Sequence, residues 1–247
     1  MTARTLRLTF AYDGSDFVGW QAQSKGRTIQ QTLEAAWQKV TGESLRITAS
    51  GRTDSGVHAV GQVASLDTQS PLDTETLRRA LDANTTREIA IRSVEHMPDG
   101  FHAIRDARGK LYAYHLHVGI PTSPFHQKYA WNLHFPVEVD AMRDAARYLM
   151  GRHDFSSFEA SGSPRSDSIR TVKVLNIEPV EDGFPDRTFP TVRIDVGADG
   201  FLYNMVRNIV GSLVEVGRGK QPPVWIEEVL HARDRRVAAA TAPAGVP

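Results

Sequence analysis

Ala49-Ser50-Gly51-Arg52-Thr53-Asp54-Ser55-Gly56-Val57-His58-Ala59 separates two apolar stretches, Leu45 to Ala49 and Gly61 to Leu66, that read as short strands. Two strands joined by a loop, with no helix between them, form the middle of a longer pattern. Upstream, Leu6, Leu8, Phe10 and Tyr12 alternate with Arg7, Thr9 and Ala11, which marks a half-buried strand. Thr28-Ile29-Gln30-Gln31 has the spacing of a capping box, and Ile29, Leu33, Ala36, Trp37 and Val40 then recur at helical spacing. Downstream, Ser70-Pro71 is expected to open a second helix through Leu77, Ala80 and Leu81, with proline where its missing N–H does no harm. Ile89 to Val94 is a further strand. The order strand, helix, strand, strand, helix, strand is the ferredoxin-like split βαβ arrangement.

The rest of the chain echoes this order. Leu111 to Val118 reads as a strand, and Asp140 is expected to cap a helix carrying Met142, Ala145, Ala146 and Leu149. Strands follow at Val172 to Ile177 and Thr191 to Val196, then a helix from Asn204 to Val216 and an amphipathic stretch with Trp225, Ile226, Val229 and Leu230. The expected fold class is α/β in the α+β sense. Two split βαβ halves, residues 1–104 and 105–247, have antiparallel sheets. The small-residue tail from Ala238 to Pro247 is expected to fray.

Composition narrows the function classes. Among 247 residues, 40% are hydrophobic and 23% charged, the balance of a globular protein rather than a disordered chain. No apolar run approaches the roughly 20 residues of a membrane span, and the first residues show no secretory pattern. Absence of cysteine excludes a disulfide scaffold, a thiolate metal site and a cysteine nucleophile. A cytoplasmic protein is therefore expected. Lys and Arg total 29, as do Asp and Glu, so there is no global basic field, although a local basic surface stays open. Cations gather at Arg105, Arg108 and Lys110, at Arg165, Arg170 and Lys173, and at Arg233, Arg235 and Arg236.

Three segments hold residue types suited to chemistry. In the 49–59 loop, glycines bracket Arg52-Thr53-Asp54. A carboxylate there can serve as nucleophile or base, and the same Asp-Ser-Gly also makes an ordinary turn. In Lys110-Leu111-Tyr112-Ala113-Tyr114, the two tyrosines share a strand face, either to stack on a nucleobase or to pack across strands. In Met205-Val206-Arg207-Asn208-Ile209-Val210-Gly211, Arg207 falls at the edge of the apolar half of a helix. From there it can reach inward to a carboxylate or keep its head in solvent, while Gly211, one turn on, permits close packing by another segment. His115 and His117 share a strand face without an evident third metal ligand and read as strand-surface residues. No nucleotide fingerprint or nucleophile elbow is present, so no cofactor is implied.

Gly51 to Ala59 resembles the signature loop of the tRNA pseudouridine synthase A (TruA) family. The likeness spans nearly the whole chain in order: Tyr12-Asp13-Gly14 with Phe17, Gly19 and Trp20, then Phe101-His102-Ala103 and the Tyr112 strand, then Gly151 to Phe158, then Met205 to Gly211. The resemblance implies isomerisation of uridine to pseudouridine in the tRNA anticodon arm, at positions 38–40, without cofactor or metal. It implies Asp54 as the essential carboxylate, Arg207 as its ion-pair partner, Tyr112 stacked on the target uracil, and Arg52 holding the nucleotide out of the stack. It also implies a homodimer and sheets that join across a catalytic cleft, with Arg105, Arg108 and Lys110 contacting RNA. Two departures stand out. Ile104-Arg105 replaces the usual Arg-Phe after Phe101-His102-Ala103, and Thr241-Ala242-Pro243-Ala244 leads into Gly245-Val246-Pro247 rather than a Gly-Leu-x-Leu strand. The C-terminal half is thus expected to lack its last strand, and an inactive tRNA-binding protein of the same fold is the alternative reading.

Overall fold

The computed structural model describes residues 3–119, 128–160, 167–180 and 191–243; Arg165 and the segment 244–247 lie outside them. The chain divides into two compact units, Met1–Ala107 and Arg108–Pro247, three residues beyond the 104/105 boundary read from the sequence.

The first unit runs β1 (Arg4–Tyr12), α1 (Ile29–Thr41), β2 (Thr48–Ala49), β3 (Ala59–Thr68), α2 (Thr74–Asn84) and β4 (Ile89–His96). The strands form one antiparallel sheet in the order β2-β3-β1-β4, which is the split βαβ order. Leu6, Leu8, Phe10 and Tyr12 share one face of β1 and form a core with Ile29, Leu33 and Trp37 of α1 and Leu77 and Leu81 of α2. Helical and strand periodicities therefore meet on the same side of the sheet.

Local polar chemistry shifts three boundaries from their expected positions. The second helix does not open at Ser70-Pro71. Asp73 is its N-cap, accepting from the Thr76 N–H at 2.9 Å, while Ser70 and Thr68 spend their hydroxyls on the approach turn. Only Thr48–Ala49 of the expected strand Leu45 to Ala49 pairs with β3. The Ile47 N–H donates to Glu34 and its carbonyl accepts from Gln30, so α1 claims the backbone groups a longer strand would use. β3 in turn extends past both ends of Gly61 to Leu66.

The second unit contains β5 (Lys110–Val118), β6 (Trp131–Leu133), α3 (Val139–Ala146), β7 (Gly151–Asp154), β8 (Ile169–Val180), β9 (Thr191–Ala198), α4 (Met205–Gly217) and α5 (Trp225–Ala232). Its sheet order is β6-β5-β9-β8-β7. The run β8-β9-β5 repeats β2-β3-β1 of the first unit; β6, parallel to β5, occupies the place that β4 holds beside β1. Asp140 does not cap α3. Glu138 stands at the N-cap, and Asp140 in the first turn pairs with Arg143 at 2.8 Å. His117 is fully buried rather than on a strand surface.

α4 is the axis of this unit's core, with Met205, Ile209, Val210, Leu213, Val214 and Val216 buried. Against expectation, the tail from Ala238 to Pro243 does not fray: Ala242 is fully buried against α4. Small side chains let this extended backbone lie close on the helix. A Cβ on Gly211 would sit 2.1 Å from the Ala240 carbonyl oxygen.

Two outcomes test the first unit. Thr28 is buried and its hydroxyl accepts from the Gln31 N–H, so Thr28→Ala should cost about 1 kcal/mol in urea unfolding. Burial acts to raise the pKa of Glu43, but donation from Thr68, Gln69, Trp37 and Ser70 outweighs it and holds the carboxyl below its ordinary 4.5. A depressed carboxylate stabilises the fold above that unfolded value and loses the effect as pH falls through the folded one. Glu43→Gln should therefore flatten the acid limb of stability against pH; an unchanged limb would remove Glu43 as its source.

Candidate active site

In the first unit, the Asp54 loop is held from two sides. At its base, Ser50 N–H donates to Val63 O at 2.7 Å and the Gln62 amide donates to Gly51 O at 3.0 Å. On its flank lies the segment from Asp13 to Trp20. Trp20 N–H donates to Thr53 O at 3.0 Å, the Tyr12 and Thr53 hydroxyls are 2.8 Å apart, and Gly56 N–H donates to Phe17 O at 3.2 Å. Burial raises the Tyr12 phenol pKa, with hydrogen bonds to Thr53 and Gln62 opposing it. Thr53 is thus fixed through both carbonyl and hydroxyl, while its neighbours Arg52 and Asp54 are exposed. The Asp54 carboxylate is therefore exposed on a backbone that hydrogen bonds hold on both sides.

This approach of two loops requires glycine. A Cβ on Gly14 would lie 2.0 Å from Val57 O. One on Gly19, at φ +108°, would lie 2.8 Å from Thr53 O. Gly56 turns the far end of the Asp54 loop at φ +78°. The Gly14 N–H also donates to His58 Nδ1 at 3.1 Å, and the same nitrogen lies 2.9 Å from Asp13 Oδ1. His58 therefore meets Gly14 as an acceptor and Asp13 as a donor, according to its protonation. Behind the flank, Arg27 lies 4.2 Å over the Phe17 ring and holds both Glu88 oxygens, at 3.0 and 3.3 Å. Hydrogen bonding from Arg27 pulls the Glu88 carboxyl down to about 2.

In the second unit, β5 presents Tyr112 and Tyr114 on one face, with Val196 and Ile194 of β9 as their register partners. The Phe201 ring meets Tyr112 edge-on, with centroids 5.1 Å apart, and so limits the orientations open to Tyr112. Tyr114 is buried and donates to Pro243 O at 2.8 Å; burial pushes its phenol far above the usual range, and the nearby Arg207 charge opposes the rise. Arg207 leaves the start of α4 half-buried, donating from Nε to Ala242 O at 2.8 Å and from Nη1 to Asn204 Oδ1 at 3.0 Å. Asn204 stands at φ 57°, a left-handed conformation that asparagine tolerates better than most residues. The helix-edge position read for Arg207 thus resolves to a guanidinium tied into protein rather than a solvated head.

The remaining cations lie, in chain order, on either side of the 107/108 division. Arg105, in the first, is exposed and donates to Gly100 O at 3.0 Å. Arg108, exposed, and Lys110, the half-buried first residue of β5, belong to the second. Sequence reading missed Phe201 and Asn204 as supports of Tyr112 and Arg207. The Asn204 contact is a local one, three residues from Arg207 at the head of α4, whereas the Phe201 contact with Tyr112 joins segments far apart in the chain. Among the described residues, no three His, Asp or Glu side chains gather as metal ligands, and no helix is long and apolar enough to cross a membrane.

The first unit thus carries a loop-borne, exposed carboxylate, and the second carries a braced tyrosine and a tied arginine. A family model described as tRNA pseudouridine synthase matches residues 8–105 and 145–246. The tRNA pseudouridine synthase A of Brevibacillus brevis is 44% identical over 241 residues, covering 98% of this chain and 96% of its own length. That of Moorella thermoacetica is 43% identical over 242 residues (97% and 95%), and that of Syntrophotalea carbinolica 41% over 239 (97% and 92%). The chain belongs to the tRNA pseudouridine synthase family, a family of isomerases. Matches of this extent to proteins named as synthases do not favour the alternative of an inactive RNA-binding relative.

The two-loop contact has a direct test. Gly14→Ala should cost about 1–3 kcal/mol through collision with Val57 O, whereas Gly61→Ala, with open space at its Cβ, should stay within about 0.5 kcal/mol in thermal unfolding. Equal effects would show that the close approach is not what the loop depends on.

Proposed function

We propose that this chain isomerises uridine to pseudouridine in the anticodon arm of tRNA, at positions 38–40, with Asp54 as the catalytic carboxylate. The observation that carries the reading is the display of Asp54 beside a doubly anchored Thr53, within the segment matched by the family model. The reaction breaks the N1–C1′ bond, turns the uracil and joins C5 to C1′; the C5 proton is released and N1 gains one. It balances without an oxidant, reductant or other co-reactant. Asp54 acts by attack on the sugar or by removal of a ribose proton, and in either role it works as the anion. Arg207 is the cation assigned to favour that anion, since a guanidinium beside a carboxylate stabilises its charged form.

Tyr112 holds the detached base by stacking while it rotates, an interaction worth about 1–3 kcal/mol per base. Arg52 keeps the extruded nucleotide out of its stack, which matters because flipping costs a few kcal/mol. Arg105, Arg108 and Lys110 contact phosphates. With zero net charge over the chain, RNA affinity rests on such local cations and should fall as salt rises. The same reading takes the enzyme as a cytoplasmic homodimer, as the family resemblance implies.

Tritium release from tRNA labelled at uridine C5 tests the reading. The wild-type protein should release label in proportion to pseudouridine formed. Asp54→Asn should lose turnover while keeping tRNA affinity within about threefold, since the substitution removes charge and little volume. Turnover retained by Asp54→Asn would take this carboxylate out of the mechanism, and label retained by the wild type on every anticodon-arm substrate would overturn the reading itself.

A further inference from the structure

Asn208, one residue beyond Arg207, is fully buried and holds two parts of the second unit at once. Its Nδ2 donates to Phe158 O at 2.6 Å; its Oδ1 accepts from Thr241 Oγ1 at 2.6 Å and from Arg235 Nη2 at 3.0 Å. Arg235 also donates to Thr241 Oγ1 at 3.0 Å and to Ala238 O at 3.2 Å. These bonds hold the backbone from Ala238 to Pro243 against α4. Gly211 admits Ala240, Ala242 N–H donates to Arg207 O at 3.1 Å, and Tyr114 donates to Pro243 O. The carbonyl that receives Arg207 Nε belongs to this same strap, at Ala242.

We propose that Asn208 is a positioning residue for Arg207, acting through the strap Ala238–Pro243 whose Ala242 carbonyl sets the plane of the guanidinium. The proposal rests on the reading that Arg207 serves the isomerisation. A guanidinium is planar, so tying Nε to Ala242 and Nη1 to Asn204 fixes the direction of the whole fork. Ala242 is held by its buried methyl and by its N–H bond to Arg207 O, and on its N-terminal side by Thr241, whose hydroxyl is joined to Asn208. An amide suits this hub because it donates to one backbone carbonyl while accepting from two donors. A carboxylate could not donate to Phe158 O, and an aliphatic side chain could do neither. Cutting the hub leaves Arg207 charged and present but free to swing, which harms the reacting geometry more than RNA affinity.

The test combines single-turnover kinetics on C5-labelled anticodon-arm RNA with ¹⁵N NMR of the Arg207 Nε–H in the full chain. Thr241→Val, the milder change, and Asn208→Ala should lower the rate at saturating RNA by about 10- to 100-fold, as small misplacements of reacting groups do. RNA affinity should stay within about threefold, and Thr241→Ser should restore the rate. Added to Arg207→Lys, either change should lower the rate no further, because groups acting as one unit are not additive. In the NMR arm, exchange of the Arg207 Nε–H should accelerate about tenfold or more on cutting the hub, because protection tracks local opening. A variant that circular dichroism shows to be folded, with an unchanged rate or unaltered exchange, would overturn the proposal, as would full additivity with Arg207→Lys. Wild-type protein inert on RNA would count against the proposed function; the exchange measurement would still decide the strap.

Discussion

The backbone contact between the Asp13–Trp20 segment and the Asp54 loop is the constraint on which the shape of that loop depends. Two irregular segments run side by side without a sheet ladder, so their polar groups are satisfied by a few specific bonds, above all Trp20 N–H to Thr53 O. The contact is possible because Gly14 and Gly19 have no Cβ to collide with Val57 and Thr53. It fixes Thr53 between its exposed neighbours Arg52 and Asp54. The loop is thus held through its backbone, and the exposed side chains of Arg52 and Asp54 do not pack to hold it in place.

The second unit solves a similar problem differently. Tyr112 stands on a central strand, where the sheet fixes its backbone and Phe201 restrains its ring. Arg207 stands on the axial helix, but a long side chain with several rotatable bonds needs further restraint, since ordering it carries an entropic cost. The strap from Ala238 to Pro243 supplies the Ala242 carbonyl, and the Asn208 amide holds the strap. The Asn208 amide, the Thr241 hydroxyl and the Arg235 guanidinium are joined into one network, which is the condition under which burial of such groups is tolerated.

Charge follows the same economy. Twenty-nine cations and twenty-nine anions cancel over the chain, and many of the arginines are paired with acids, as Arg27 is with Glu88 and Arg143 with Asp140 and Glu178. Such pairs add little stability at an exposed surface. Arg52, Arg105 and Arg108 are exposed, and the balanced total leaves the chain without a strong general field.

Element order in the first unit, strand faces and the core of α4 were readable from the amino-acid pattern because they depend on periodicity: alternate residues share a strand face, and residues three or four apart share a helix face. The short strands β6 and β7, and the parallel pairing of β6 with β5 in a sheet expected to be antiparallel, were not, because three or four residues carry too little alternation. Asp54, Tyr112 and Arg207 stood out for a related reason, each being a chemically capable side chain placed at a loop, strand face or helix edge that local pattern defines. Boundaries such as Asp73 at the head of α2, and the short pairing of β2, depended on which distant polar group claimed a given N–H or carbonyl. Linear spacing does not encode that competition. The tail of small residues read as loose because composition offers no sign of a partner. Folding placed it against Gly211 and under Asn208, where its backbone, rather than its side chains, makes the contacts.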